Sequence, residues 1–386
     1  MDTLSFTLPK NSGKIDLSNI EFVRSSYIQE PMISLGFNLF MMKNREKLQI
    51  VQNLPESQKK VHFIFNDYDA FLVSQPDKSI KEFFQTTISK SIPITNNSFF
   101  KIWEIICEFS LLDSKESTVV ISIGDGPGSI IQSLITYRNK FHSKISSKDL
   151  YCVLGILDEQ KINCFSNSKI YKDENIIREL NDVKLFKKGF LKKTKDLYKN
   201  KKYANLIVCD GDMNWYNENY QEQEMIELLF GEIVFALNML EDGGSLVLKI
   251  YDTFTMLTIR LISILNTFFN EIHIYKPLTS SQASSEKFVI GKGFKSNKNN
   301  INSLNKLFED IEKESFIVDI NNFEINDNMF KEIIKINQTV SDLQYQKINQ
   351  MYSFLLKKNF FGVEYHEQVK KQIECNSKWL AKYVKN

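Results

Sequence analysis

Residues 118–129 read TVVISIGDGPGS, an apolar, β-rich run that passes directly into a glycine-rich turn. A helical pattern follows from Ser129. Glycines at a strand-to-helix turn allow a ligand to approach the backbone, and open α/β sheets bind their ligands at such turns. The spacing is not that of a phosphate-binding P-loop. The turn is either purely structural or suited to an adenosyl cofactor that brings no phosphate to neutralise.

Further strand and helix patterns alternate on the carboxyl side of this turn. Alternation of this kind is typical of βαβ units, so the sequence predicts an α/β fold with a mostly parallel sheet. We expect residues 271–275 and 287–291 to form a hairpin at the edge of that sheet. The other predicted strands are 118–123, 151–156, 204–209 and 245–250, and the predicted helices include a crossover at 224–240 and a stretch at 255–269.

Composition excludes several classes of protein. The 386 residues carry 49 Lys and Arg against 47 Asp and Glu, so the chain lacks the strong positive field of a histone-like binder. Its five cysteines form no CxxC pair, which argues against a zinc site or a disulfide framework, and we predict no metal. No apolar run reaches the roughly 20 residues that span a bilayer. The sequence therefore predicts a soluble, cytoplasmic protein without membrane contact.

Two charged residues lie at the ends of predicted central strands. Asp210 follows LIVC, and Lys249 lies inside the apolar run LVLKI. Strand ends on the same side of a parallel sheet share one cleft, so these two side chains should lie together. A buried ammonium is costly without a partner, and Asp210 would be that partner. The alternatives are a surface residue or a structural ion pair.

Two more charged residues are ambiguous by pattern alone. Lys101 lies in the helical pattern NNSFFKIWEI ahead of the glycine turn, and Glu286 lies at the entry to the last predicted strand. Either one reads equally well as a solvated surface charge.

Five ordered sequence blocks carry a family resemblance. They are FFKIWEI, GDGPG, CDGD, GGSLVLKIYD and KPLTSSQASSEKFVIGKGF, all between residues 96 and 294. Together they resemble the FtsJ-like RNA ribose 2′-O-methyltransferases, and most of all the cap-modifying members from large cytoplasmic DNA viruses. The resemblance implies a Rossmann-like, seven-stranded methyltransferase sheet that binds S-adenosyl-L-methionine. It also assigns a catalytic Lys-Asp-Lys-Glu tetrad to Lys101, Asp210, Lys249 and Glu286.

The same resemblance implies the cofactor contacts. An acidic residue often ends the second strand of the family, where Asp158 stands. The acid that the family usually offers after the third strand is missing from KLFKKGF, where Phe190 or a backbone amide could take its place. Ser281 replaces an arginine of many relatives, which puts one RNA or packing contact in doubt. The full set of expected cofactor contacts is Gly124, Asp125, Gly126, Pro127, Gly128, Asp158, Phe190 and Asp210.

Two features predict RNA contacts. A basic run at residues 184–202 could neutralise phosphates, although a solvated face is an equal reading. Trp215 and Tyr216, just after Asp210, could stack on a base or on a methylated guanine cap, or could instead pack a helix against the sheet. The expected phosphate contacts are Lys187, Lys188, Lys192 and Lys193.

The segments on either side of the catalytic domain, its flanks, influence which substrate we predict. We expect an N-terminal extension over residues 1–95, the catalytic domain over 96–294, a polar linker over 295–303, and a helical region without strands over 304–386. Small family members that act on ribosomal RNA lack such flanks, so the first hypothesis is methylation of the cap-proximal ribose of mRNA. The flanks are then candidate contacts for capping or transcription machinery. Ribosomal or transfer RNA methylation, and a non-catalytic RNA-binding scaffold, are the alternatives.

The tetrad admits two mechanisms. Lys249 could lose its proton in an enclosed cleft and accept the proton of the ribose hydroxyl. It could instead remain cationic and stabilise a developing alkoxide. The sequence does not separate these roles.

Overall fold

The structure is a computed structural model, and it describes most of the chain. The described residues are 3–10, 15–31, 33–55, 65–68, 83–84, 94, 96–125, 128–154, 176–179, 203–212, 215–311, 315–357 and 362–384. Within them, no helix has the length and apolar character needed to cross a membrane.

The core of the fold is one mixed sheet of eight strands. Its strands are β1 (Leu4–Thr7), β3 (Val119–Ile123), β4 (Leu150–Leu154), β5 (Ile176–Glu179), β6 (Ala204–Cys209), β7 (Leu240–Ile250), β8 (Phe269–Lys276) and β9 (Lys287–Phe294), and a separate strand, β2 (Glu21–Ser25), lies outside it. The order across the sheet is β1-β8-β9-β7-β6-β3-β4-β5. From β7 to β5 the neighbours are parallel, whereas β1, β8, β9 and β7 pair antiparallel. The predicted α/β fold is confirmed, and seven of these strands form the expected methyltransferase sheet.

Helices cover both faces of the sheet. The helices are α1 (Leu35–Gln52), α2 (Ser98–Phe109), α3 (Ser129–Phe141), α4 (Ile226–Met239), α5 (Met256–Phe268), α6 (Lys298–Glu309), α7 (Asp327–Lys357) and α8 (Val363–Tyr383). Strand β3 shows the arrangement, because Ile121 packs in the core formed with α4 and α5, while Val120 packs in the core formed with α2 and α3. Alternate side chains of a strand therefore enter opposite layers, as the pleat requires.

The glycine turn lies at the point where the chain changes direction across the sheet. Strand β3 has β4 on one side and β6 on the other, both parallel to it. The chain therefore runs from β3 to β4 and β5 and then crosses back to β6 on the other side of β3, and ligands of open α/β sheets bind at such a switch point. The glycine turn predicted from TVVISIGDGPGS thus begins at Gly124, directly after the carboxyl end of β3.

The flanking segments are built into the fold. Strand β1 pairs with β8, so the predicted hairpin of β8 and β9 forms but does not lie at the sheet edge. Strand β10 (Phe316–Asn321) pairs with β2, which corrects the prediction of a strandless C-terminal region. Helix α6 begins inside the segment predicted to be a linker. These errors have the same cause. Each strand or helix packs against a partner that is distant in sequence, and the local sequence pattern carries no information about that partner.

The C-terminal helix α8 packs against α2. The ring of Trp379 lies edge-on to Phe100 with centroids 5.7 Å apart. The indole nitrogen of Trp103 donates to the main-chain carbonyl of Tyr383 at 3.0 Å. Helix α2 is therefore held between the sheet and the end of the chain.

Candidate active site

The register of three strands brings three predicted catalytic side chains to one face of the sheet. Cys209 pairs with Leu248, so Asp210 lies beside Lys249 one residue further along. Lys249 pairs with Phe288 on β9, and Glu286 precedes that residue by two. Side chains two apart on a strand share a face. All three therefore point toward the layer of α2, the helix that carries Lys101.

The four side chains form two ion pairs. The Nζ of Lys249 lies 3.1 Å from Oδ1 of Asp210, and the Nζ of Lys101 lies 2.8 Å from Oε2 of Glu286. The side chains of Lys249 and Asp210 are only 6% and 15% exposed. The structure thus brings together all four residues that the sequence assigned to the tetrad. Their catalytic roles remain a proposal.

The charges fix the ionisation of the two central residues. Burial is the largest single influence on the pKa of Lys249 and lowers it, but Asp210, Tyr251, Asp212 and Glu286 together raise it more, so the pKa lies well above its ordinary value. Burial raises the pKa of Glu286, but the ammonium groups of Lys101 and Lys249 outweigh it and hold that pKa at about 2. Near neutral pH the Lys249 side chain is therefore an ammonium and the Glu286 side chain a carboxylate.

Two further residues join this cluster, and the sequence reasoning missed both. Oδ2 of Asp212 lies 3.9 Å from the Nζ of Lys249. The hydroxyl of Tyr251 donates to the same Asp212 oxygen at 3.4 Å, and the Nζ of Lys249 lies 5.6 Å from the Tyr251 ring centroid. Both residues stand two positions beyond a strand-end residue that was identified, so the period of two along a strand was the available signal.

The glycine turn packs tightly against the strand that leads to Asp210. Gly124 has a φ of +75°, and a Cβ built there would lie 2.5 Å from the Cα of Gly211. The amide of Asp210 donates to the carbonyl of Ile123 at 2.9 Å. Only glycine permits both the left-handed backbone and the close approach. The start of the turn therefore packs directly against the backbone that follows Asp210.

Some of the predicted cofactor contacts lie within the described residues and others do not. The carboxylate of Asp125 accepts the amide protons of Ile130 at 3.1 Å and Ile131 at 2.7 Å, so it caps helix α3. Burial raises the pKa of this capping carboxyl to about 7. Gly128 has a φ of +86° and is the residue before α3. Gly126, Pro127, Asp158 and Phe190 lie outside the described residues, as do Lys187, Lys188, Lys192 and Lys193.

The two aromatic candidates for RNA stacking differ in their exposure to solvent. Tyr216 is fully exposed to solvent. Trp215 is half-buried and lies edge-on to Tyr251, with ring centroids 5.9 Å apart. The carboxylate of Glu224 accepts the amide protons of Tyr216 and Asn217, which fixes the loop that carries them. Tyr216 is thus free to stack on a ligand, whereas Trp215 packs against the site.

Comparisons with known proteins identify the family of the segment that carries this site. Residues 94–294 match the FtsJ-like methyltransferase family. Protein L511 of Acanthamoeba polyphaga mimivirus is 25% identical over 95% of this chain and 50% of its own length. The mouse cap-specific mRNA (nucleoside-2′-O-)-methyltransferase 1 is 25% identical over 60% of this chain and 29% of its own length. This chain therefore spans about half, or less, of these two relatives.

A solved structure gives a weaker likeness. The putative ribosomal RNA methyltransferase from Plasmodium falciparum is 18% identical, with a TM-score of 0.39, over 52% of this chain and 98% of that one. The family match covers the segment that carries all four clustered charges, and it spans more than half of the 386 residues. The chain belongs to the FtsJ-like methyltransferase family.

Proposed function

We propose that the protein is an S-adenosylmethionine-dependent RNA ribose 2′-O-methyltransferase that acts through Lys101, Asp210, Lys249 and Glu286. The observation that carries this proposal is the pair of buried ion pairs, Lys249 with Asp210 and Lys101 with Glu286. They lie beside the glycine turn, at the end of the sheet where open α/β folds bind ligands. A buried charge cluster in a cleft is where perturbed ionisation and catalysis coincide.

The contact of Gly124 with Gly211 places the glycine turn next to Asp210, which supports cofactor binding at this turn. Bound S-adenosylmethionine would supply an electrophilic methyl group, and the protein's task is then to align a ribose hydroxyl with that group. The side chains of Lys249 and Asp210 lie where this alignment would be made.

The raised pKa of Lys249 favours one of the two mechanisms. As an ammonium, Lys249 would stabilise negative charge that develops on the ribose oxygen, as oxyanion-stabilising groups do in other enzymes. Acting as a base would require it to lose a proton that the neighbouring carboxylates of Asp210, Asp212 and Glu286 help to hold. Lys101 would hold Glu286 in place through their ion pair, and Glu286 would in turn help to keep Lys249 protonated.

We further propose capped mRNA as the substrate, methylated at the cap-proximal ribose in the cytoplasm. Several similar proteins are named cap-specific mRNA 2′-O-methyltransferases, and ribosomal RNA, the alternative predicted from the sequence, is the second candidate. The exposed ring of Tyr216, next in sequence to the Trp215 that packs on Tyr251, favours the first, because a cationic methylated guanine gains cation–π attraction on an aromatic face. The flanks are candidate contacts for capping machinery.

The test is methyl transfer from labelled cofactor to matched RNAs that carry either a methylated guanine cap or a 5′ triphosphate. We expect labelled ribose in the first nucleotide of the capped RNA and much less in the other. Equal labelling of both would contradict the cap substrate and leave the ribose methyltransferase standing. No transfer to either RNA, nor to ribosomal or transfer RNA, would contradict the enzyme itself and favour an RNA-binding scaffold.

A further inference from the structure

A fully buried carboxylate lies one helical turn beyond Lys101. Glu104 on α2 is completely enclosed, and both of its oxygens accept hydrogen bonds. Oε1 accepts from the hydroxyl of Tyr275 at 2.6 Å and the amide of Leu278 at 2.7 Å, and Oε2 accepts from the indole nitrogen of Trp379 at 2.9 Å, the hydroxyl of Thr279 at 3.1 Å and the amide of Thr279 at 3.3 Å.

These donors are neutral, and they come from three separate parts of the fold. Burial raises the pKa of the Glu104 carboxyl, while the hydrogen bonds from Tyr275, Leu278 and Trp379 oppose that shift. Burying a carboxylate is costly, and leaving any of its bonds unmade adds to the cost. The arrangement therefore persists only while strand β8, the following loop and helix α8 all meet at Glu104.

The loop held by Glu104 leads directly to the proposed catalytic carboxylate. Ser280 follows the two residues whose amides bind Glu104, and its hydroxyl donates to Oε2 of Glu286. The same Oε2 lies 2.8 Å from the Nζ of Lys101. A closed circuit results: α2 holds the loop through Glu104, the loop holds Glu286 through Ser280, and Glu286 binds the lysine of α2.

Helix α8 completes this circuit from the far end of the chain. Of the bonds to Oε2 of Glu104, the one from the indole of Trp379 is the shortest. Trp379 is itself buried, and its helix is fastened to α2 by the bond from the indole of Trp103 to the carbonyl of Tyr383. The donor on Trp379 therefore has a fixed place relative to Lys101.

We propose that Glu104 is a positioning residue for the Lys101–Glu286 ion pair, and that the C-terminal helix supports methyl transfer through the hydrogen bond from Trp379 to Glu104. This proposal rests on the proposed function for its kinetic test. Glu104 does not touch the reacting atoms. It sets where Glu286 lies, and thereby the charge around Lys249, for which Glu286 is a neighbouring negative group.

Two matched substitutions test this role. Trp379→Phe keeps an aromatic ring but removes the donor to Glu104, whereas Lys382→Met removes another bond from α8 to α2, one that ends on Glu108. We expect both to lower the unfolding midpoint, and only Trp379→Phe to lower kcat, by about tenfold, because small displacements of catalytic groups cost on the order of ten- to a hundredfold in rate. KM for RNA and calorimetric cofactor affinity should stay within about twofold. Equal kcat in the two variants would overturn the proposal.

A second measurement needs no substrate. Trp379→Phe and Lys101→Met act on the same ion pair, so we expect the loss of unfolding free energy from Trp379→Phe to be smaller in the Lys101→Met background than in the wild type. The cycle of Lys382→Met with Lys101→Met is the control, because Lys382 on α8 pairs with Glu108 and not with Glu104. Additive effects in both cycles would overturn the proposal even if the protein transfers no methyl group. Absence of transfer by the wild type would overturn only the proposed function.

Discussion

The ammonium of Lys249 contacts Asp210 twice: it lies 3.1 Å from Oδ1 of the side chain and donates to the main-chain carbonyl at 3.1 Å. The parallel register of β6 and β7 imposes this relationship, because the pairing of Cys209 with Leu248 sets the next two residues side by side. The lysine is therefore anchored to the backbone of its neighbouring strand as well as to a carboxylate. Its position depends on the sheet, and its charge depends on Asp210.

Lys249→Met should abolish methyl transfer, with a loss of at least about a hundredfold in kcat, because it removes the charge that would stabilise the ribose oxygen. The methionine retains the apolar stem in the strand, so the protein should fold, although it loses about 3 kcal/mol of stability by leaving Asp210 without its partner. Single-turnover transfer and urea unfolding measure the two effects.

The control for this variant is Lys347→Met. Lys347 forms another buried pair, with its Nζ 3.0 Å from Oδ2 of Asp67 and both side chains no more than 5% exposed. A loss of stability with unchanged kcat is expected there, and it should be smaller than in Lys249→Met because the Nζ of Lys371 also lies 3.2 Å from Oδ2 of Asp67. Near-normal turnover in Lys249→Met would remove Lys249 from the proposed tetrad.

Gly124→Ala should destabilise the protein and weaken cofactor binding, because the new Cβ would lie 2.5 Å from the Cα of Gly211 at a φ of +75°. Gly243→Ala separates the two causes, since Gly243 has a φ of +86° but no atom within 4 Å of a built Cβ. The control should therefore cost only the strain of a left-handed alanine, about 1 kcal/mol. Calorimetric affinity for S-adenosylmethionine is the readout, and equal affinity in both variants would place the cofactor elsewhere.

The free energy of unfolding at acid pH should depend on the ionisation of Glu286. Its pKa is lowered from 4.5 to about 2, so the ionised form contributes stability that is fully present above pH 4.5 and is lost as the pH falls toward 2. Glu286→Gln should lower the free energy of unfolding at pH 7 by about 3 kcal/mol, the equivalent of that shift. Urea titrations should show the difference from wild type shrinking between pH 4.5 and pH 2. A difference that stays constant over that range would mean that Lys101 does not hold Glu286 ionised.

Tyr216→Ala should abolish the preference for capped over uncapped RNA while leaving the unfolding midpoint unchanged, because the fully exposed ring contributes nothing to the core. The expected loss is about two- to thirtyfold in selectivity, the equivalent of the cation–π attraction of about 0.5 to 2 kcal/mol. Tyr203→Ala is the control, since Tyr203 is also exposed but precedes the opposite end of β6. A preserved cap preference in Tyr216→Ala would move recognition to another aromatic residue.

Local pattern was sufficient for the central strands and for the ends where Asp210 and Lys249 lie. A parallel strand buried on both faces reads as a short apolar run, and β6 (Ala204–Cys209) was predicted with its observed bounds. Strand β5 (Ile176–Glu179) was not predicted, because it is short and lacks such a run. Lys101 and Glu286 were ambiguous by pattern and were identified only through their resemblance to a family.

The sequence by itself determined strands β3, β4, β6 and β7, the glycine turn and the strand-end positions of Asp210 and Lys249, because each depends on periodicity or on steric rules acting over a few neighbours. Only the tertiary structure decided which charges pair, that β1 pairs with β8, and that β2 pairs with β10, where Glu21 meets Asn321. Glu104 shows the reason. Its neighbours along α2 do not distinguish it from a surface glutamate, and its five hydrogen bonds come from residues 171 to 275 positions away. Contacts of that range exist only once the sheet and the C-terminal helix have packed.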